Sequence, residues 1–252
     1  MIQVLTSWNP RTGLPTDGPD TTPTEEVEAL AARAATAFRV TSTATPQTRL
    51  ACVTALADAL DAHAEELIAL AEEETALGLP RLTGELAKTA TNARYYAAAG
   101  ASGAWLRAVV ERVPGPPDLD LRRAHLPIGP VAVFTASNFP FQFGVMGHDT
   151  CSALAVGCPV IVKAHPAQPR LSVRLGEIAG AALAAAGAPE GAFALVHGME
   201  AGLALVDAPA IAAVGFTGSQ RGGMALVERS AARPRPIPVY AEMGSVNPVF
   251  VL

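Results

Sequence analysis

The sequence predicts an α/β protein: a Rossmann-like, mostly parallel sheet with helices on both faces, preceded by N-terminal helices and a β-hairpin. Two observations predict it. From Val131 onward, short apolar and β-branched runs alternate with helical stretches, the signature of βαβ units whose strands are covered on both faces. Before Val109 the apolar residues recur instead at a helical period near 3.6.

The elements follow in order. Residues 21–99 read as helices. Thr22-Pro23-Thr24-Glu25 has capping-box spacing with Pro at the first helical position, and Val27, Leu30, Ala31, Ala34 and Phe38 share one face behind it. A second helix starts at Thr45-Pro46, aligns Leu50, Val53, Leu56, Leu60, Leu67 and Leu70, and stops at Gly78. A third runs from Thr83 to Ala99 and ends at Gly100. Pro114-Gly115-Pro116-Pro117 is a turn-forming break, and the alternating segments around it predict a β-ribbon or edge hairpin within residues 109–130. Strands are then expected at 131–135, 160–162, 193–196, 211–216, 237–240 and 249–252. Helices are expected at 149–156, 171–186, 201–206 and 224–232. The connections between parallel strands should be right-handed.

Composition narrows the function classes. The 252 residues are 50% hydrophobic and 16% charged, with a net charge of −5, which suits a compact globular protein and argues against a nucleic-acid partner. Arg122-Arg123 is too short for a basic arm and reads as a solvated strand end or loop. No basic residue followed by an apolar stretch opens the chain, so a secretory signal is not expected. The apolar runs are short and broken by Gly or Pro, well below the roughly 20 residues of a membrane span. A cytoplasmic protein with no membrane partner is expected. Cys52, Cys151 and Cys158 fit no zinc or CxxC spacing. They are expected to be buried structural thiols, and no metal site is predicted.

In open parallel sheets, ligands bind beyond the carboxyl ends of the strands, so function is sought there. The first of these strands ends in Thr135-Ala136-Ser137-Asn138-Phe139-Pro140. The Asn138 amide there is either a donor for negative charge developing on a substrate oxygen or a turn residue. The second ends in Lys163-Ala164-His165-Pro166. Lys163 suits a ribose hydroxyl or phosphate, or is simply solvated. Phe216-Thr217-Gly218-Ser219 opens a glycine-rich strand-to-helix turn, which either admits a pyrophosphate or is a tight turn needing Gly. Glu242, in Ala241-Glu242-Met243-Gly244, becomes a general base if burial raises its basicity; otherwise it is a surface carboxylate.

Together, in this order, Ser137-Asn138-Phe139-Pro140, Lys163, Phe216-Thr217-Gly218-Ser219 and Ala241-Glu242-Met243-Gly244 resemble the ordered motifs of the aldehyde dehydrogenase superfamily. Val162 to Pro166 and Ala241 to Val251 look most like its α-ketoglutaric semialdehyde dehydrogenase branch. The resemblance covers most of the chain. It implies NAD(P)-dependent oxidation of a small-molecule aldehyde to an acid, through a thiohemiacetal on a Cys, hydride transfer and thioester hydrolysis. Residue by residue, it implies that Asn138 binds the oxyanion and Glu242 is the general base. Lys163 holds the adenine ribose. Thr135, Ser137, His165, Phe216, Thr217, Gly218, Ser219, Met243 and Gly244 are the remaining cofactor-binding positions. Residues 104–126 resemble the hairpin through which such enzymes form dimers, so a homodimer or higher oligomer is expected.

The implied organisation is a helical part at 1–103, an oligomerisation hairpin at 104–126 and a Rossmann-like cofactor-binding domain at 127–252. Two departures follow. Many NAD-preferring members carry a Glu three residues after the ribose Lys; here Pro166 stands there. Losing that carboxylate removes a repulsion against a 2′-phosphate, so NADP is the expected cofactor, with NAD an alternative. The family's nucleophilic Cys lies downstream of the Glu in a second domain, and this sequence stops ten residues after Glu242. The expectation is a truncated chain, inactive alone. The alternative is a non-catalytic nucleotide-binding or assembly module. Glu242 argues against a CoA-acylating relative, because thioester hydrolysis needs the base and CoA transfer does not.

Overall fold

The computed structural model describes residues 2–245 and 247–251. The chain opens with an antiparallel hairpin, β1 (Val4–Trp8) and β2 (Pro15–Asp20), which the sequence reading lacked. Four helices follow: α1 (Thr24–Thr41), α2 (Pro46–Ala62), α3 (Ala64–Thr75) and α4 (Leu79–Ala101). A ribbon of β3 (Val109–Val113) and β4 (Leu119–Arg123) comes next. Then β5 (Val131–Phe134), α5 (His148–Ala155), β6 (Val160–Lys163), α6 (Pro169–Ala185), β7 (Phe193–Val196), α7 (Met199–Asp207), β8 (Ala213–Thr217), α8 (Gln220–Ala231) and β9 (Val239–Glu242) alternate.

The last five strands form one sheet in the order β7-β6-β5-β8-β9, and every neighbouring pair is parallel. Residues one apart on a strand face opposite sides, and the core divides accordingly. Val133, Val160 and Val162 pack with α2, α4, α5 and α6. Ala132, Phe134, Ile161, Val196 and Val214 pack with α1, α7 and α8. The strand order reverses between β5 and β8, which opens a crevice at the carboxyl ends of these two strands.

Four expectations are corrected. The predicted second helix is two helices, α2 and α3, because His63 leaves helical geometry at φ −107°, ψ 14°. No Gly or Pro marks that break, and the apolar face runs on through it. The predicted third helix starts four residues early, at Leu79: Gly78 (φ +96°) serves as its N-cap rather than as the stop of the preceding helix, and Pro80 lies in its first turn. The capping box at Thr22 does not form. Pro23 is the N-cap without a side-chain cap, because the Thr22 hydroxyl instead accepts the His197 backbone N–H at 2.9 Å. The strand predicted over residues 249–252 is absent across 249–251, and Leu252 lies outside the described residues. Val249, Phe250 and Val251 are exposed; an apolar run becomes a strand only where a neighbour pairs with it.

One buried carboxylate ties the N-terminal hairpin to the sheet layer. Glu74 of α3 accepts the Ser7 hydroxyl at 2.5 Å and the backbone N–H groups of Arg170 and Leu171 at 3.1 and 2.8 Å. It thereby satisfies first-turn donors of α6.

Candidate functional site

The crevice beyond β5 and β8 is a cleft of about 520 Å3. Ser137, Asn138 and Phe139 line it from the end of β5, and Thr217, Gly218 and Ser219 from the end of β8. Glu242, Met243 and Gly244 come from the end of β9, and His165 from beyond β6. Residues far apart in sequence are thus brought together by sheet topology. Thr135, Lys163 and Phe216 do not line this cleft; they form its substructure. The Thr135 hydroxyl donates to the Lys163 carbonyl at 3.3 Å.

The glycine-rich turn is shaped by packing. A Cβ at Gly218 would stand 2.7 Å from the Phe216 ring, one at Gly222 would stand 3.1 Å from it, and one at Gly223 would run into Met243 Sδ. Ser219 caps α8, its Oγ accepting the Gly222 N–H at 3.1 Å. Gly218 N–H donates to the Glu242 carbonyl at 3.0 Å, joining the turns after β8 and β9.

Two residues that the sequence reading did not single out hold the Asn138 loop. Arg81 donates to the Asn138 carbonyl at 2.5 Å and lies over the Phe139 ring, 5.0 Å from its centroid. One turn along α4, the buried Glu85 accepts the Phe141 and Gln142 N–H groups at 2.8 and 3.0 Å. Burial pushes its carboxyl above the usual range, against the pull of these two hydrogen bonds. A signal was available: Glu85 falls between Leu82 and Leu86 on the buried face of α4, where a carboxylate needs a specific partner.

Asn138 and Glu242 are both exposed. The burial that a general base at Glu242 was expected to need is not supplied by the described residues. Glu242 also borders a second recess of about 410 Å3, with Tyr96, His148, Asp149 and Tyr240. There the Tyr96 hydroxyl lies 2.9 Å from His148 Nδ1, and burial holds the Asp149 carboxyl above its ordinary range.

At the β6 end the character changes. Lys163 is only 9% exposed, so its stem is largely enclosed. Its stem packs against Phe134 and Gly202, where a Cβ would stand 3.2 Å from Lys163 Cγ. Burial alone lowers its pKa, and no carboxylate compensates it. His165 accepts the Ala167 N–H through Nδ1 at 3.1 Å, which leaves the ring proton on Nε2. His197, just past β7, is buried, and its Nδ1 has no hydrogen-bond partner. Burial, then Lys163, hold both imidazoles down to about 4. These residues fit a nicotinamide dinucleotide: the glycine-rich turn and His165 line a cleft at the sheet's switch point, and Lys163, two residues before His165, has no carboxylate partner among the described residues.

None of the three thiols lines either recess. Cys151 and Cys158 are buried, and burial pushes Cys151 up to about 12. Cys52 is half-buried rather than fully enclosed as expected, and burial raises it too.

The chain belongs to the aldehyde dehydrogenase family, whose model matches residues 3–252. It is 44% identical to α-ketoglutaric semialdehyde dehydrogenase 2 of Azospirillum brasilense, over 98% of this chain and 49% of that protein. It is 39% identical to an α-ketoglutaric semialdehyde dehydrogenase of Acinetobacter baylyi, over 90% and 44% respectively. Among solved structures, an E. coli NADP-dependent enzyme superposes with a TM-score of 0.83 at 26% identity, covering 96% of this chain and 48% of that one. The chain thus spans about half the length of the curated relatives it matches.

Proposed function

We propose that this chain is the nucleotide-binding part of an enzyme that oxidises a semialdehyde, of the α-ketoglutaric type, to its acid, with NADP preferred over NAD. The observation that carries the reading is the convergence of Asn138, Thr217–Ser219 and Glu242 on one cleft beside the unpaired Lys163. The relatives named above support the substrate class, and Pro166, in place of a carboxylate, supports the cofactor choice. The dinucleotide, when bound, supplies the hydride acceptor. Lys163 would hold the adenine ribose, and the first turn of α8 would face the pyrophosphate. The Asn138 amide would donate to the aldehyde oxygen as negative charge builds on it. Glu242 would take a proton from the water that releases the acid.

Both of these last steps require a thiol to attack the carbonyl first, and the described residues bring none into the cleft. A nucleotide-binding or assembly module without turnover would use the same cleft and is the second reading. The ribbon β3–β4, with Val110 and Leu121 exposed, suits pairing with a second copy in either case.

Aldehyde-dependent formation of reduced nicotinamide separates the two readings. The purified 252 residues should show no turnover of α-ketoglutaric semialdehyde, since losing the nucleophile of such a unit costs on the order of 10⁶ in rate. Adding a polypeptide that carries the relatives' other half should restore it. Restoration that survives Asn138→Ala and Glu242→Ala together would refute the assigned roles. Turnover by the 252 residues alone, abolished by Cys151→Ser or Cys158→Ser, would refute the account of the thiols.

A further inference from the structure

The amino ends of the strands, opposite the cleft, border a cavity of another kind. Helices α1, α2, α5 and α6 and the turns before β6 and β7 enclose a pocket of about 60 Å3. Its floor is carbon and sulfur: Leu154, Cys158, Leu183 and Ala192 are buried. Val40 and Thr48 stand exposed at its mouth. Protein interiors leave few voids larger than a water molecule. At roughly 10–15 Å3 for each water-sized group, this one has room for about four to six heavy atoms. A carbon-lined space stays dry and takes an apolar ligand rather than water. One charged group borders it. Arg49 of α2 is half-buried, and its guanidinium lies 5.9 Å from the Trp105 ring centroid. Its Nε donates to the Ala155 carbonyl at 3.1 Å and its Nη1 to the Ala44 carbonyl, which spends two of its five N–H donors. The bond to Ala155 caps α5 and accounts for where the side chain lies, but not for the remaining donors. No carboxylate pairs with Arg49 among the described residues.

We propose that this pocket binds a short-chain alkyl monocarboxylate, with its chain on the carbon-lined floor and its carboxylate on the unspent Nη donors of Arg49. Charge complementarity selects the anion, and the floor selects the alkyl chain. An alcohol of the same length would fill the floor but give the guanidinium no charge partner. An alkylammonium would set like charge against Arg49. A dicarboxylate would bury a second charge among Leu154, Leu183 and Ala192, which is unfavourable without a partner. The site lies at the other end of the sheet from the nucleotide cleft and does not depend on that reading.

Cys52 supplies the reporter. Its thiol lines the pocket, lies 3.9 Å from the Ala186 carbonyl and is half-buried, whereas Cys151 and Cys158 are buried. The 252-residue chain is treated with methyl methanethiosulfonate at constant ionic strength, and peptide mass spectrometry follows Cys52 with butyrate, butan-1-ol, butylammonium or glutarate present. Butyrate should protect Cys52 saturably, with a Kd at least about tenfold below that of butan-1-ol, the effect of one hydrogen bond to a charged group. Butylammonium and glutarate should not protect. Arg49→Gln should remove the difference between butyrate and butan-1-ol. Ala44→Leu, which narrows the pocket and keeps Arg49, should abolish protection by both. The ligand series on the unaltered chain needs neither variant to fold. Equal protection by butyrate and butan-1-ol, or by butyrate and glutarate, would overturn the monocarboxylate site. A difference that persists in Arg49→Gln would overturn the role of Arg49, and no protection by any of the four would overturn binding altogether.

Discussion

The two ends of the cleft are built differently. At the β6–β7 end, Lys163 and His197 are buried, the backbone of His197 is hydrogen-bonded on both sides, and the charged or orphaned atoms have no partner within the described residues. At the β5–β9 end, Asn138 and Glu242 are exposed, and the structural effort goes into the loop beneath them, through Arg81 and Glu85. The buried His197 nitrogen has no partner among the described residues, and the nucleotide-binding reading has the chain hold its ligand with its own residues. An exposed carboxamide and carboxylate point to chemistry that needs a cover and a nucleophile from other residues. The difference separates binding, which the chain should perform alone, from turnover, which it should not.

This contrast can be broken by substitution. The largest effect on binding should come from Lys163→Ala, which should weaken NADP by about 1.5–3 kcal/mol in a calorimetric titration, the range for a hydrogen bond to a charged group. An unchanged affinity would mean that the buried ammonium serves the fold alone. Glu85→Ala should lower stability by about 1–3 kcal/mol in urea, since it strands the Phe141 and Gln142 amides. Glu85→Gln, which keeps an acceptor, should cost less. If Glu85→Ala proved neutral, the Asn138 loop would not depend on α4.

Acid should act on the binding end. Burial holds His165 and His197 at about 4 against an ordinary 6.5, so between those values the unfolded chain binds more protons than the folded one. Their contribution is complete above pH 6.5 and is lost as pH falls through 6.5 to about 4. Glu85 and Asp149, whose carboxyls burial raises, act in the opposite sense, so the comparison must be between variants. His197→Asn should lose less stability than the unaltered chain between about pH 7.5 and pH 5. Parallel losses would place the titration elsewhere. The smallest effect should come from the other end: Asn138→Ala and Glu242→Ala should each leave nucleotide affinity within about 0.5 kcal/mol.

Much of the sheet was legible because parallel strands buried on both faces must be short apolar runs; 193–196 matches β7 to the residue. The hairpin β1–β2 was not legible. Its residues are largely exposed, so they carry little apolar alternation. The break at His63 was equally silent, since nothing in its residue type forbids a helix. At the site, position beyond a strand picked out residues that do line the cleft, such as Asn138, Ser219 and Glu242. It could not show that Glu242 is exposed or that Lys163 is buried, because both depend on which helices cover each strand end. Arg81 and Glu85 were passed over because they lie within a helix and act through contacts that only the folded chain creates. His197 follows the strand 193–196 directly but belongs to no recognisable motif.

The most direct measurement is calorimetric titration of the 252-residue chain with NADP and with NAD. Saturable binding of both, with NADP tighter, is the expected result. Tighter binding of NAD would contradict the cofactor preference inferred from Pro166, and heats of dilution alone for both nucleotides would contradict the proposal that this chain builds a nucleotide cleft by itself.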